Sequence, residues 1–265
     1  MRLLRVAVVT VALCGMVGTS AAQASSGTAR APAGSLSFAG ELGMRGQPGV
    51  CPAGTPSNLG CYPRSGEGVI PGLGKVTQSW VLVLDGAAPG CPDGTFVSQK
   101  TTVRLTVLGK GEILLALGGL SSCLDTDDVV NHSAPFAVAG GSGVFTGVSG
   151  SGTVTHEGTY VFSGSKGTDT YTGTIVVDGH EFDLTPPVLA GVANRAEAAP
   201  KGATRTRVRF AVTAQDQVDG RLAVTCTPKP RSLFRLGRTK VGCSASDTSG
   251  NTASTTFSVT VKARR

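Results

Sequence analysis

Three histidines, one short run of carboxylates and a set of evenly spaced arginines are the residues of this sequence whose chemistry reaches beyond packing. His156 is followed by Glu157 and His180 by Glu181, residue types that general acid–base catalysis uses. Neighbours along a strand point to opposite faces, so neither pair can cooperate without a bulge. With His132, all three histidines are expected at the surface or in turns. Asp125-Thr-Asp127-Asp128 supplies three carboxylates in four residues, oxygen ligands of the kind calcium takes. The later glutamate of an EF-hand loop is missing, so the run reads as a solvated acidic loop. No G-x-S-x-G, H-E-x-x-H or P-loop pattern is present. No catalytic residue, metal ligand or cofactor is therefore assigned, and binding is favoured over catalysis.

Arg205, Arg207 and Arg209 alternate, so on a strand all three project from one face. Lys229, Arg231, Arg235, Arg238 and Lys240 follow them. Residues 189–265 hold 14 Lys/Arg against 4 Asp/Glu, whereas residues 23–188 hold 8 against 13. A basic surface of this kind attracts anionic polymers in a salt-dependent way. The expected partner is an anionic cell-wall polymer, an acidic glycan or a membrane surface. Solubility, or docking of the basic half onto the acidic half, stays open as the alternative. Nucleic acid is not expected, because aromatics for base stacking do not interleave the charges.

Of seven cysteines, Cys14 lies in the N-terminal apolar run, leaving Cys51, Cys61, Cys91, Cys123, Cys226 and Cys243. An even count in an exported chain reads as three disulfides, and no spacing suggests zinc. The Cys51–Cys61 segment, with Pro52, Pro56 and Pro63 in or beside it, reads as a loop closed by its own bridge. Cys91 then pairs with Cys123, one of three pairings these four allow. Cys226 and Cys243 lie at the ends of strand-like runs either side of a turn at Gly237, and a bridge between them closes about 17 residues.

Met1-Arg-Leu-Leu-Arg5, the apolar run to Val17 and the small residues to Ala24 form a signal peptide, cleaved after Ala22 or Ala24. Leu13 stands where a lipid-anchored Cys14 would need a small residue. The apolar run falls short of the roughly 20 residues a membrane-spanning helix needs, so no transmembrane anchor is expected. Residues 25–34 read as a flexible leader, 35–183 as one domain and 184–265 as another, the break lying at Asp183-Leu-Thr-Pro-Pro187. Aromatics are only 5% of the chain and glycines number 38, which suits short strands and tight turns. Strands are expected at 79–85, 101–108, 112–117, 136–139, 152–155, 159–163 and 171–177, with turns at 109–111, 118–119, 140–141 and 164–167. Val103, Leu105 and Val107 alternate with Arg104 and Thr106, the pattern of a half-buried strand. Val176-Val-Asp178-Gly179-His reads as a hairpin. The fold class is all-β: a barrel or sandwich, then a sandwich.

Phe136-Ala-Val-Ala-Gly140-Gly-Ser-Gly-Val-Phe145-Thr-Gly-Val-Ser-Gly150-Ser-Gly-Thr-Val154 resembles a signature of the allene oxide cyclase and dirigent barrels. That resemblance implies an up-and-down β-barrel with an apolar interior. No acid/base or substrate-binding residue of that group maps onto a position here. From Arg207 to Asp216, through Val218-Asp-Gly220, Val224-Thr-Cys-Thr-Pro228, Ser232–Cys243 and Ala245-Ser-Asp-Thr-Ser-Gly250-Asn to Phe257-Ser-Val-Thr-Val261, the sequence resembles a hyalin repeat. It implies an immunoglobulin-like β-sandwich used as an extracellular adhesion or spacer module. The five charges crowding Ser232 depart from that pattern. Together these readings describe a secreted, non-catalytic binding or adhesion protein, with a bacterial source hinted at by composition. The alternative is a small-ligand carrier or isomerase/cyclase-like enzyme using the barrel interior. Oligomeric state stays open.

Overall fold

The computed structural model describes residues 34–57, 59–85, 95–118, 124–125, 129–161 and 164–264. The readings of the signal peptide, the leader, Cys14, Cys91, Cys123, Asp127 and Asp128 fall outside the described residues, as do the side chains of Asp125 and His132. Every regular element described is a strand. The first ten are β1 (Ser35–Gly46), β2 (Leu59–Ile70), β3 (Gly74–Asp85), β4 (Thr95–Ser98), β5 (Thr101–Val107), β6 (Gly111–Leu117), β7 (Leu124–Asp125), β8 (Val129–Gly143), β9 (Ser149–Val161) and β10 (Gly164–Val176).

These strands close an eight-stranded, antiparallel up-and-down barrel. Its order is β1-β2-β3-β5-β6-β8-β9-β10, and β10 returns to β1 through a register running from Ser35 opposite Val176 to Gly46 opposite Ser165. Strands β4 and β7 attach to one another, and β4 to the end of β3. Closure removes the exposed sheet edges that an open sheet of this size would carry. Alternate side chains point inward and pack as one core: Leu36 and Leu42 from β1, Val103, Leu105 and Val107 from β5, Ile113 and Leu115 from β6, and Phe136, Tyr171 and Ile175.

Several local expectations give way to the longer strands. The runs 152–155 and 159–163 belong to the single strand β9, and Gly164–Gly167 opens β10 instead of forming a turn. Gly140-Gly141 is likewise inside β8. There the β6–β8 register shifts between Leu114 and Leu115, and Gly140 takes φ +152°, a bulge that a side-chain-bearing residue rarely adopts. Chain reversal comes later, over residues 144–148, where fully buried Phe145 plugs the turn. After β10 the Asp178-Gly179 turn forms, with His180 N–H bonded to Val177 O, but no return strand follows, so the expected hairpin is a turn alone.

The C-terminal part holds β11 (Val188–Ala190), β12 (Arg195–Ala198), β13 (Arg205–Arg207), β14 (Thr213–Asp216), β15 (Gly220–Leu222), β16 (Thr225–Thr227), β17 (Leu233–Arg235), β18 (Gly237–Ser246) and β19 (Thr252–Lys262). They form sheets β11-β14-β15 and β12-β19-β18-β16 and the ribbon β13-β17, consistent with an immunoglobulin-like sandwich. Phe210 stands edge-on to Phe257 and Phe234 (ring centroids 5.1 and 6.4 Å) in a core with Val208, Val241, Val259 and Val261. Residues 208–212 keep the inward–outward alternation without regular strand pairing. Cys226 and Cys243 are direct partners of β16 and β18 and are bonded to each other. Cys51 is bonded to Cys61, fastening the proline-rich loop to β2. Among the described residues no helix is long and apolar enough to cross a membrane.

Candidate functional site

The eight basic residues picked out by spacing are all exposed. On the β13–β17 ribbon Arg205 lies directly opposite Arg235, and Arg207 opposite Leu233, so these two strands present three arginine side chains and an exposed leucine on one face. Nη1 of Arg207 donates to the carbonyl of Arg231 (3.0 Å), which brings a fourth arginine beside them. Arg238 and Lys240 share a second face, on β18 opposite Thr260 and Ser258, where Nε of Arg238 donates to Ser258 Oγ (2.8 Å). Arg209 and Lys229 are exposed as well. Among the described residues none of the eight lies in an ion pair. Like charges set opposite one another on a ribbon are unfavourable unless an anion or water offsets them.

Inside the barrel the structure departs from an all-apolar interior. Arg64, Gln78, His156, Asp169 and Tyr171 are buried. Tyr171 donates its hydroxyl to Gln78 Oε1 (2.6 Å), and Gln78 Nε2 donates to Asp169 Oδ2 (2.8 Å). The other oxygen, Asp169 Oδ1, lies 2.6 Å from His156 Nδ1. The guanidinium of Arg64 stacks over Trp80 at 5.0 Å. His156 thus lies neither at the surface nor in a turn. Strand β9 runs unbroken past it, the pleat turns Val154 and His156 inward and Glu157 outward, and the facing β10 residue is Asp169. A Cβ on Gly158 or Gly167 would fall 2.9 or 3.0 Å from the imidazole, so glycine at both positions makes the room. Burial, and the nearby Asp169 carboxylate, push the Tyr171 hydroxyl well above its ordinary pKa. His180 is half-buried, edge-on to Phe182 at 4.7 Å.

Beside the His156–Asp169 pair lies a cavity of about 30 Å³, bordered by Trp80, Thr101, Leu117 and Ala134. That is about the volume one water takes in the liquid, whereas small-molecule pockets run to roughly 300–1,000 Å³. The network therefore reads as a polar layer of the core.

A third cluster was not visible as a motif. Asp183, Asp216 and Asp247 each bring a carboxylate oxygen within 4.8 Å of the other two. Asp183 Oδ1 accepts from Thr185 N–H (3.0 Å), and Asp216 Oδ1 accepts from the N–H groups of Val218 and Asp219 (2.8 and 2.9 Å). Asp247 accepts from Asn251 twice, backbone N–H to Oδ1 and side-chain Nδ2 to Oδ2, both 2.8 Å. The Asp219 and Val218 amides hold the Asp216 carboxyl below the usual carboxylate range.

A comparison of the full chain with curated proteins finds no match. The two disulfides among the described residues fit an extracellular protein. Residues 182–261, the part that carries the arginine ribbon and all but the first residues of the sandwich's approach from the barrel, match the HYR domain family.

Proposed function

We propose that this is a secreted binding protein whose HYR module attaches it to an anionic polymer of the cell surface, a teichoic-acid-like chain or an acidic glycan. The observation that carries the reading is the cross-strand pair Arg205 and Arg235, with Arg207 on the same exposed face and no carboxylate partner for any of them among the described residues. Guanidinium groups in such a row fit repeating phosphates or carboxylates, each a bidentate acceptor. Exposed Leu233 beside them adds apolar contact. The barrel interior is filled by its own core, and the cavity of about 30 Å³ beside His156 and Asp169 falls far short of a ligand pocket; the larger space of about 740 Å³, bordered by Arg45, Glu67, Gly158 and Lys166, is an open depression. Binding by a surface is accordingly favoured over a carrier or enzyme working from the interior. Retention of the full chain on purified anionic envelope polymers tests this. Binding at low salt that high salt releases is expected; no retention at low salt would sink the reading.

A further inference from the structure

The three converging aspartates come from separate parts of the chain. Asp183 lies in the segment after the barrel, Asp216 at the end of β14, and Asp247 in the turn between β18 and β19. Asp183 and Asp216 each tie one oxygen to backbone amides of their own turn, which leaves the other available to the cluster, while Asp247 accepts from Asn251 on both oxygens. Oδ2 of Asp183 and Oδ2 of Asp216 are both buried without a hydrogen-bond partner, and Asp216 as a residue is only 3% exposed. A buried carboxylate oxygen lacking a donor is strongly unfavourable. Two of them beside a third carboxylate repel one another as well. A bound cation resolves both problems at once.

The donor set identifies the class of cation. Oxygen is the only ligand type, with no histidine or cysteine in the cluster, which points away from zinc and copper and toward a hard divalent ion. Calcium accepts six to eight oxygens in irregular geometry and completes its shell with water, whereas magnesium demands near-ideal octahedral sites. We infer that Asp183, Asp216 and Asp247 form a calcium site at the junction between the barrel and the HYR module.

Position gives the site its consequence. The turn that carries Asp247 also carries Ser249, whose carbonyl accepts from Gly72 N–H of the barrel (2.8 Å) and whose hydroxyl accepts from Lys110 Nζ (3.3 Å). Asn251 Nδ2 bridges from Asp247 to the carbonyl of Asp183 (3.0 Å). Thr248 binds both oxygens of Asp219, joining the Asp216 turn to the Asp247 turn. One ion at this point ties the segment leaving the barrel to the two turns that face it, so calcium fixes the module against the barrel.

Calorimetric titration of the EGTA-stripped full chain with calcium tests the site, with thermal unfolding in parallel. Saturable binding of one ion per chain is expected, with a dissociation constant of roughly 10⁻⁴–10⁻³ M or tighter. At a tenfold excess over that constant, Tm should rise by about 4 °C. Asp216→Asn keeps an acceptor for the Val218 and Asp219 amides but loses the charged oxygen, and should weaken binding at least tenfold. Asp183→Asn repeats the test outside both turns. Absence of both heat and Tm shift in the unaltered chain overturns the site; so does undiminished binding in both variants, which would put the ion elsewhere.

Discussion

His156 on β9 and Asp169 on β10 are direct cross-strand partners, and Nδ1 of one lies 2.6 Å from Oδ1 of the other in the barrel interior. Asp169 also accepts from Gln78, so one carboxylate satisfies groups from two other strands. Asp169→Ala would strand both. Each buried group left without its partner costs roughly 1–3 kcal/mol, so a loss of about 3 kcal/mol is expected in urea unfolding. A loss below about 0.5 kcal/mol, the range of ordinary surface substitutions, would mean that the network contributes nothing to the fold.

Tyr171 predicts an alkaline limit that belongs to the barrel. Its folded pKa is raised by burial, with a smaller contribution from Asp169, so the unfolded chain loses the phenolic proton first. The stability this group contributes is fully present below its unfolded pKa of about 10 and declines as pH rises toward the folded value. One such group contributes a slope of at most about 1.4 kcal/mol per pH unit. Tyr171→Phe should flatten the decline above about pH 10 relative to the unaltered chain, while lowering stability at neutral pH by leaving Gln78 Oε1 without its donor. Identical slopes in the two proteins would contradict the burial argument.

What could be read in advance follows from whether a residue's partner is near it in sequence. Val103, Leu105 and Val107 alternate within one strand, so β5 was legible, and so was the long ordered pattern of the HYR module. Strand β2 was not. It carries Pro63, and its inward positions include Arg64, Gly66 and Gly68, the glycines standing where the β1 carbonyls of Gly43 and Glu41 leave no room for a Cβ. Strand β1 was missed for the same reason, its apolar alternation being interrupted by Gly40, whose Cβ would strike Ile70. Spacing correctly set Glu157 opposite in direction to His156, but only the β9–β10 register shows that the histidine faces Asp169. The Asp183, Asp216 and Asp247 cluster is invisible locally, since each residue alone resembles an ordinary turn aspartate.

The arginine ribbon predicts a charge effect confined to one face. Arg205→Glu combined with Arg235→Glu reverses the cross-strand pair without touching the core, since both side chains are exposed. Retention on an anionic polymer at low salt should fall by at least tenfold, with the salt dependence of the remainder shallower. Arg45→Glu with Lys166→Glu, on the exposed outer face of the barrel, should change retention little. Equal losses from both pairs would indicate net charge alone.

The Cys226–Cys243 bridge closes a span of 17 residues inside the module. Restricting a loop of that size in the unfolded chain stabilises by about 3 kcal/mol. Replacing both cysteines by alanine should lower module stability by about that much, read as an earlier denaturant midpoint. An unchanged midpoint would show that the unfolded module is already compact around those strands.

Contact between barrel and module can be tested at Gly74. This residue takes φ +99°, and a Cβ there would lie 2.3 Å from the carbonyl oxygen of Thr248, which is backbone and cannot swing away. Gly109 also has positive φ, at +73°, but a Cβ there meets nothing within 4 Å. Both alanine substitutions pay the backbone cost of a left-handed conformation, about 1–2 kcal/mol. Only Gly74→Ala must also push the Asp247–Asn251 turn off the barrel. Its destabilisation should therefore exceed that of Gly109→Ala by at least about 1 kcal/mol, with faster proteolysis in the segment around Thr185. If the two variants are equally stable and equally resistant, the module does not rest on the barrel through Thr248, and the hydrogen bond from Gly72 to Ser249 would have to give way with it.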